Sequence, residues 1–270
     1  MNKSRKIENI KLSEYLERQL KMGAITFTKR DAIKSLGCTE IAFMRAAQRL
    51  KKKGLLIRPV AGFYVIVEIE FRDAGGPPPI YFIQKLMIHL KLPYYVGLLS
   101  AAKYHGATHQ AVFETQALAP KPLPIIKYGK HRLRFITNKF TERIPKEPLK
   151  TPHGDILIST PEATLVDLVR YYKKAAGLSH VATVILEMKE KLNGKKLPVV
   201  AEVYKDTPLM QRVGFLLEKF DSKMAALPLY SWLKQRDHHF IKLEPSQKLG
   251  DDQNSRWSIN INTTIEPDEV

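Results

Sequence analysis

Along the early part of the chain, apolar residues recur at the spacing of short helices and then switch to the continuous runs of a hairpin. Leu12, Tyr15, Leu16 and Leu20 share one side of a helical period, and Gly23 is placed to end that helix. Thr28 is placed to cap a second helix, Lys29 to Leu36, whose apolar side is Ala32, Ile33 and Leu36 and whose stop is Gly37. After a tight turn, Thr39 is placed to cap a third helix running to about Lys53, with Phe43, Ala47 and Leu50 facing inward and Gly54 terminating it. The β-rich runs Leu55 to Ile57 and Phe63 to Val67 then flank a turn segment, Arg58 to Gly62. Helix, helix, turn, helix, hairpin is the order of a winged helix-turn-helix.

The pattern breaks at Asp73-Ala74-Gly75-Gly76-Pro77-Pro78-Pro79, where neither a helix nor a central strand can pass. This divides the chain into residues 1–72, a Gly/Pro linker at 73–79, and a larger domain at 80–270. In that larger part, Ile80 to Leu90 and Tyr94 to His105 read as helices separated by Pro93, and Thr115 to Leu118 and Ile125 to Ile136 read as strands. Ile156 to Ile158 is a short apolar strand. Thr160-Pro161-Glu162 is a strong helix start, with a capping hydroxyl, a proline at the first helical position and an acid at the positive end of the dipole. At least three helices follow through Phe220, and Trp257 to Ile261 alternates like a strand before an acidic tail. No internal repeat is visible. The fold class expected is α+β: an N-terminal winged helix-turn-helix followed by a larger mixed α+β domain.

Composition narrows the class. A chain of 270 residues suits two domains, and 44% hydrophobic with 26% charged residues excludes collagen-like, low-complexity or wholly disordered proteins. The longest stretch free of Asp, Glu, Lys and Arg, Ala175 to Leu186, is twelve residues, short of the ~18 that a membrane-spanning helix requires. The N-terminus has no apolar secretory core, so a cytoplasmic location is expected, and Cys38, the only cysteine, excludes an internal disulfide or multi-cysteine zinc site. The net charge of +17 is in the range of nucleic-acid binders, and positive charge is densest in residues 1–72, which carry 16 basic and 7 acidic side chains.

The third helix concentrates the chemistry that double-stranded DNA requires. With Phe43, Ala47 and Leu50 inward, a step of about 100° per residue puts Ile41, Arg45, Gln48, Arg49 and Lys52 on the solvent side. Arginine reads guanine and glutamine reads adenine in the major groove, whereas lysines at a helix end suit phosphates. The DNA-contacting set expected is Thr39, Arg45, Gln48, Arg49, Lys52, Lys53 and Arg58, with Lys51 also at the phosphate end and Arg58 in the wing. A second basic surface, Lys127, Lys130, Arg132, Arg134, Lys139 and Arg143, interleaves with Tyr128, Phe135 and Phe140; it suits nucleic acid or an acidic protein, and equally a solvated strand face.

Catalytic chemistry finds weaker support. His105 and His109 have a chelating spacing, but Gly106 interrupts a helix and supplies no general base, so a structural role at a helix end is expected. His153 reads as a surface residue in a turn. Glu162 and Asp167 lie about 140° apart on a helix, too far round to work as a pair, and Asp167 is spaced to pair with Arg170. Neither a phosphate loop, a nucleophile elbow nor a base partner for Cys38 is present, so no enzyme, cofactor or metal is expected.

Three blocks carry a resemblance. Tyr94 to Ala102 followed by His105-Gly106-Ala107-Thr108-His109-Gln110, then Ser159-Thr160-Pro161-Glu162-Ala163-Thr164-Leu165-Val166-Asp167-Leu168, then Gln211-Arg212-Val213-Gly214-Phe215-Leu216-Leu217-Glu218 resemble the AbiEi-type antitoxins of bacterial type IV toxin–antitoxin systems. The resemblance implies a winged helix-turn-helix that represses its own operon at promoter inverted repeats, and a C-terminal domain that counteracts a cognate nucleotidyltransferase toxin. It implies operator DNA and that toxin as partners, direct contact with the toxin being left open, and two half-sites suggest a second protomer on DNA. The rival readings are a transcriptional regulator with a ligand-sensing or oligomerising C-terminal domain, and an enzyme modifying a toxin or nucleic acid.

Overall fold

The computed structural model describes residues 11–107, 114–220 and 223–268. It is mixed α+β, as the pattern of apolar positions leads one to expect.

The N-terminal elements are α1 (Leu12–Lys21), β1 (Thr26–Thr28), α2 (Lys29–Leu36), α3 (Glu40–Lys52), β2 (Leu56–Val60) and β3 (Phe63–Ile66). Both expected caps form. The Thr28 hydroxyl oxygen accepts from the Asp31 amide at 3.1 Å, and that of Thr39 from the Ala42 amide at 3.3 Å. Between α2 and α3 the chain reverses at Gly37, whose φ of 60° is one a side chain disfavours. The three strands form an antiparallel sheet in the order β1-β3-β2, and the short β1 is an addition to the elements read from the sequence. Tyr15, Phe27, Phe43 and Tyr64 meet ring to ring in the small core beneath it.

The segment after β3, which holds the Gly/Pro linker read from the sequence, is folded. Residues Ile69–Phe71 and Pro79–Tyr81 form single helical turns, and the glycines between them fold against the hairpin ahead. A Cβ on Gly75 would lie 2.5 Å from the Gly129 Cα, the Lys130 amide donates to Ala74 O at 2.9 Å, and the Tyr128 hydroxyl donates to Pro77 O at 2.6 Å. Then come α4 (Ile83–Leu90), β4 (Tyr95–Val96) and α5 (Leu98–Tyr104), β5 (Glu114–Ala119), β6 (Ile126–Tyr128), β7 (His131–Thr137), β8 (Lys146–Leu149) and β9 (Ile156–Ser159). The helix expected from Tyr94 is therefore split. Tyr95 and Val96 pair with Leu118 and Ala117 of β5, and the helix starts only at Leu98.

These strands form one mixed sheet in the order β6-β7-β5-β4-β9-β8, buried on both faces. Along β5, Leu118 enters the helical layer while Ala117 and Ala119 face α4 and the hairpin of β2 and β3, the alternation a strand imposes. The helical layer is α6 (Pro161–Arg170), α7 (Leu178–Met188), α8 (Leu197–Tyr204), α9 (Thr207–Lys219) and α10 (Lys223–Lys234). A small sheet of β10 (Ile241–Lys242), β11 (Asp252–Asn254) and β12 (Ile259–Ile261) closes the chain. The tail folds back onto α7: Ile265 is buried, the Asp268 amide donates to the Thr183 hydroxyl at 2.8 Å, and its carboxylate meets His180 Nδ1 at 2.8 Å.

Candidate nucleic-acid interface

Helix α3 buries Phe43 and Ala47 and leaves Arg45, Gln48, Arg49, Lys52 and Lys53 in solvent, as its spacing requires. Thr39, also exposed, spends its hydroxyl on the cap. Glu40 in the first turn pairs with Lys29 at 2.6 Å, which ties α2 to α3. The side chains of Arg45, Gln48, Arg49, Lys52 and Lys53 make no hydrogen bond or ion pair among the described residues. Five donors with no protein acceptor are what a phosphate or base edge would meet.

Beside this face a cleft of about 530 Å³ separates α3 from the hairpin, and Gln48, Lys51, Lys52, Arg58 and Tyr64 line it. The fold thus brings Gln48, Lys52 and Arg58 together, with Lys51 as a fourth donor, while Arg45 and Arg49 lie further round the helix.

Arg58 does not sit in a turn. It belongs to β2, and the turn is only Ala61-Gly62. That tip is pinned: His89 Nε2–H donates to Ala61 O at 3.0 Å and the Lys29 amide donates to Gly62 O at 2.8 Å. The His89 ring also packs 5.4 Å from Phe63. Arg58 reaches outward from the flank of a braced hairpin, and pairing of Leu56-Ile57 and Val60 across a register shift is what extends the strand through Pro59. The pinning residue, His89, carried no signal in the sequence.

The second basic surface separates into parts. Arg134 Nε meets Glu114 at 2.5 Å and Arg132 lies 3.6 Å from the same carboxylate, so two cations of β7 share an anion on the adjacent strand. Lys127 and Lys130 stay exposed on the β6–β7 hairpin, whereas Lys139 and Arg143 both lie over the Phe140 ring, at 5.1 and 5.2 Å from its centre. The aromatic residues turn inward: Tyr128 packs on Phe82, and Phe140 packs edge-on to Tyr204.

The carboxylates of α6 are both inside. Glu162 Oε1 accepts from the Asn193 amide at 2.8 Å, and Asp167 accepts from the hydroxyls of Tyr95, at 2.8 Å, and Tyr204. Asn138 donates to both tyrosine oxygens at 2.9 and 2.8 Å, completing the cluster. Burial pushes the Asp167 carboxyl up to about 7, against the opposing effect of the tyrosine donors and of Arg170. Arg170, spaced to pair with Asp167, forms its ion pair with Asp206 at 2.9 Å and acts on Asp167 only through its charge. His153 is not a free surface residue either: its Nε2 lies 3.3 Å from Glu68 and its ring 5.1 Å from Tyr81. His105 caps the end of α5, buried, with Nε2 at 2.7 Å from Ser159 O; His109 lies outside the described residues.

Residues 95–219 match the family model of the AbiEi antitoxin C-terminal domain. Over those residues the chain resembles an AbiEi antitoxin C-terminal domain. The crystal structure of the RV2827C protein from Mycobacterium tuberculosis shares the fold, with 14% identity, a TM-score of 0.64, and coverage of 92% of this chain and 89% of that one. A solution structure of the antibiotic-resistance factor ANT(2'')-Ia aligns over 55% of this chain and 92% of its own at 13% identity, but a TM-score of 0.27 gives it no weight. No curated protein matches this sequence.

Within the matched residues, two of the recognisable blocks prove to be joints. Gly97 lets β4 approach β5, where a Cβ would lie 2.3 Å from the Leu118 side chain. Gly214 of α9 makes room for the fully buried Trp257, whose ring lies 2.0 Å from where its Cβ would be. Gln211 Nε2 donates to His239 O and Trp257 O, Arg212 Nε to Lys242 O and Leu243 O, and Trp257 Nε1 to Glu218 at 2.5 Å. The third block therefore fastens the C-terminal sheet to α9.

Proposed function

We propose that this protein is a two-function antitoxin of the type IV class. Its N-terminal unit acts as a winged helix-turn-helix that represses its own operon at inverted repeats, and its AbiEi domain counteracts a nucleotidyltransferase toxin encoded beside it in the cytoplasm. The observation that carries the DNA half is the α3 face: Arg45, Gln48, Arg49 and Lys52 are exposed and unpaired next to the cleft that holds Arg58. Arg45 and Gln48 are assigned to base edges, Lys52, Lys53 and Arg58 to phosphates, and the α3 N-terminus, through Thr39, to the approach to the backbone. A palindromic operator would seat one protomer on each half-site.

The antitoxic half rests on the AbiEi match at residues 95–219. Both halves are tested in full-length protein, because β3 and α4 contribute to one core and a cut between them would expose Phe82 and Ile83. Fluorescence anisotropy with the upstream inverted repeat reads DNA binding, and co-expression with the neighbouring gene reads host growth. Binding of that repeat in preference to scrambled DNA, together with restored growth, is the expected result. Absence of preference removes autorepression, and failure to restore growth removes the antitoxin reading.

A further inference from the structure

Ile41 is the one large apolar side chain that α3 leaves in solvent, at 67% exposure. Among the described residues it joins neither the buried core of the N-terminal unit nor the half-buried side chains packed around that core. Folding gives no account of an isoleucine at this position. Its neighbours on the helix surface are the donors already assigned to DNA: at about 100° per residue, Ile41 projects within about 40° of Arg45, Gln48 and Lys52. It also lies opposite the buried Phe43 and Ala47.

The turn that carries Ile41 is fixed from both sides. The Ala42 amide donates to the Thr39 hydroxyl at 3.3 Å, and Glu40, the only acid of α3, is tied to Lys29 of α2 at 2.6 Å. The first turn therefore offers an anionic duplex an apolar side chain and no unpaired carboxylate. An isoleucine in a helix is held almost entirely in one χ1 rotamer, so little side-chain freedom is lost when it is covered.

We propose that Ile41 is a specificity-determining residue of the DNA interface, packing on the 5-methyl group of a thymine next to the base that Arg45 reads. The inference rests on the DNA-binding reading above and adds to it a base that hydrogen bonding from α3 does not select. A recognition helix meets base edges chiefly with its N-terminal residues, and Ile41 is the second residue of α3. An aliphatic side chain there has no hydrogen bond to offer, and the thymine methyl is the apolar group that the major groove presents to it. The spacing limits where that thymine lies. Ile41 and Arg45 are four residues apart, about 6 Å along the helix axis, which is within two base-pair steps of about 3.4 Å.

The test is fluorescence anisotropy with full-length protein and the upstream inverted repeat, in which each thymine in turn is replaced by uracil in both half-sites. That exchange removes one methyl and leaves every hydrogen-bonding edge in place. Wild type should lose about fourfold in affinity per half-site at one thymine position. Ile41→Ala should bind the unmodified repeat about fourfold more weakly per half-site, bind scrambled DNA like wild type, and be indifferent to uracil at that one position. Its melting temperature should match wild type, since the core does not include Ile41. The proposal is overturned if Ile41→Ala binds the repeat like wild type, or weakens on repeat and scrambled DNA alike. It is also overturned if no uracil position affects wild type, or if both proteins respond equally to every one. If wild type itself shows no preference for the repeat over scrambled DNA, the DNA-binding reading fails, an outcome distinct from a preference that survives the loss of Ile41.

Discussion

Helices α3 and α6 begin alike and end as opposites. Each opens on a threonine cap followed within two residues by a glutamate, and each carries further charged residues along its length. Helix α3 buries two of its thirteen residues and holds its cations in water; α6 buries eight of ten, Glu162 and Asp167 among them. The difference is one of surroundings. A helix lying on a small sheet keeps one wet face, whereas α6 is covered by the central sheet and by α7, α8 and α9. The cations of α3 are therefore free for a partner, and the carboxylates of α6 are consumed in holding the fold.

Replacing Asp167 by Ala should have the largest effect. It leaves the Tyr95 and Tyr204 hydroxyls without their acceptor in the interior, at a cost of about 3 kcal/mol of stability. A fall in melting temperature checks this, while Arg45→Ala, on the wet face, should leave melting unchanged.

Acidity should separate the two helices next. The Asp167 carboxyl is raised from 3.8 to about 7 by burial, so the folded state binds a proton that the unfolded chain has released. That contribution to stability is complete below about pH 4 and is lost as pH rises toward about 7. Denaturation across that range should show the decline, and Asp167→Asn should flatten this part of the profile.

On DNA the order reverses. Arg45→Ala or Gln48→Ala should cost ~1–3 kcal/mol on the preferred operator and much less on scrambled sequence. Lys52→Ala should do less, weakening all sequences alike and lowering the salt slope by about one ion. Smallest of all, Arg132→Ala and Arg134→Ala should leave DNA affinity within about twofold, because Glu114 already holds both guanidiniums. Equal losses at Arg45 and Arg134 would erase the distinction between free and committed charge.

Much of this was legible in the sequence, and the parts that were not share a cause. The caps at Thr28, Thr39 and Thr160 and the helices they start were readable because capping is local. The strand at Tyr95-Val96 was not, since an apolar pair runs on into a helix and only the partners Leu118 and Ala117 make it a strand. The edge strand β8, Lys146–Leu149, carries a lysine, a glutamate and a proline and shows no β pattern of its own. Helix α10 was hidden by Pro228 in its interior. In the candidate site, the exposed face of α3 followed from its period, but the pinning of the hairpin tip by His89 and the capture of Arg132 and Arg134 by Glu114 depend on residues distant in sequence.

The central claim is that operator binding resides on α3 and protection on the AbiEi domain, and one variant separates them most directly. In full-length Arg45→Ala/Arg49→Ala/Lys52→Ala, promoter repression and toxin protection are measured in the same cells. The account predicts repression lost and growth still restored; repression retained, or protection lost in a protein that melts like wild type, would contradict it.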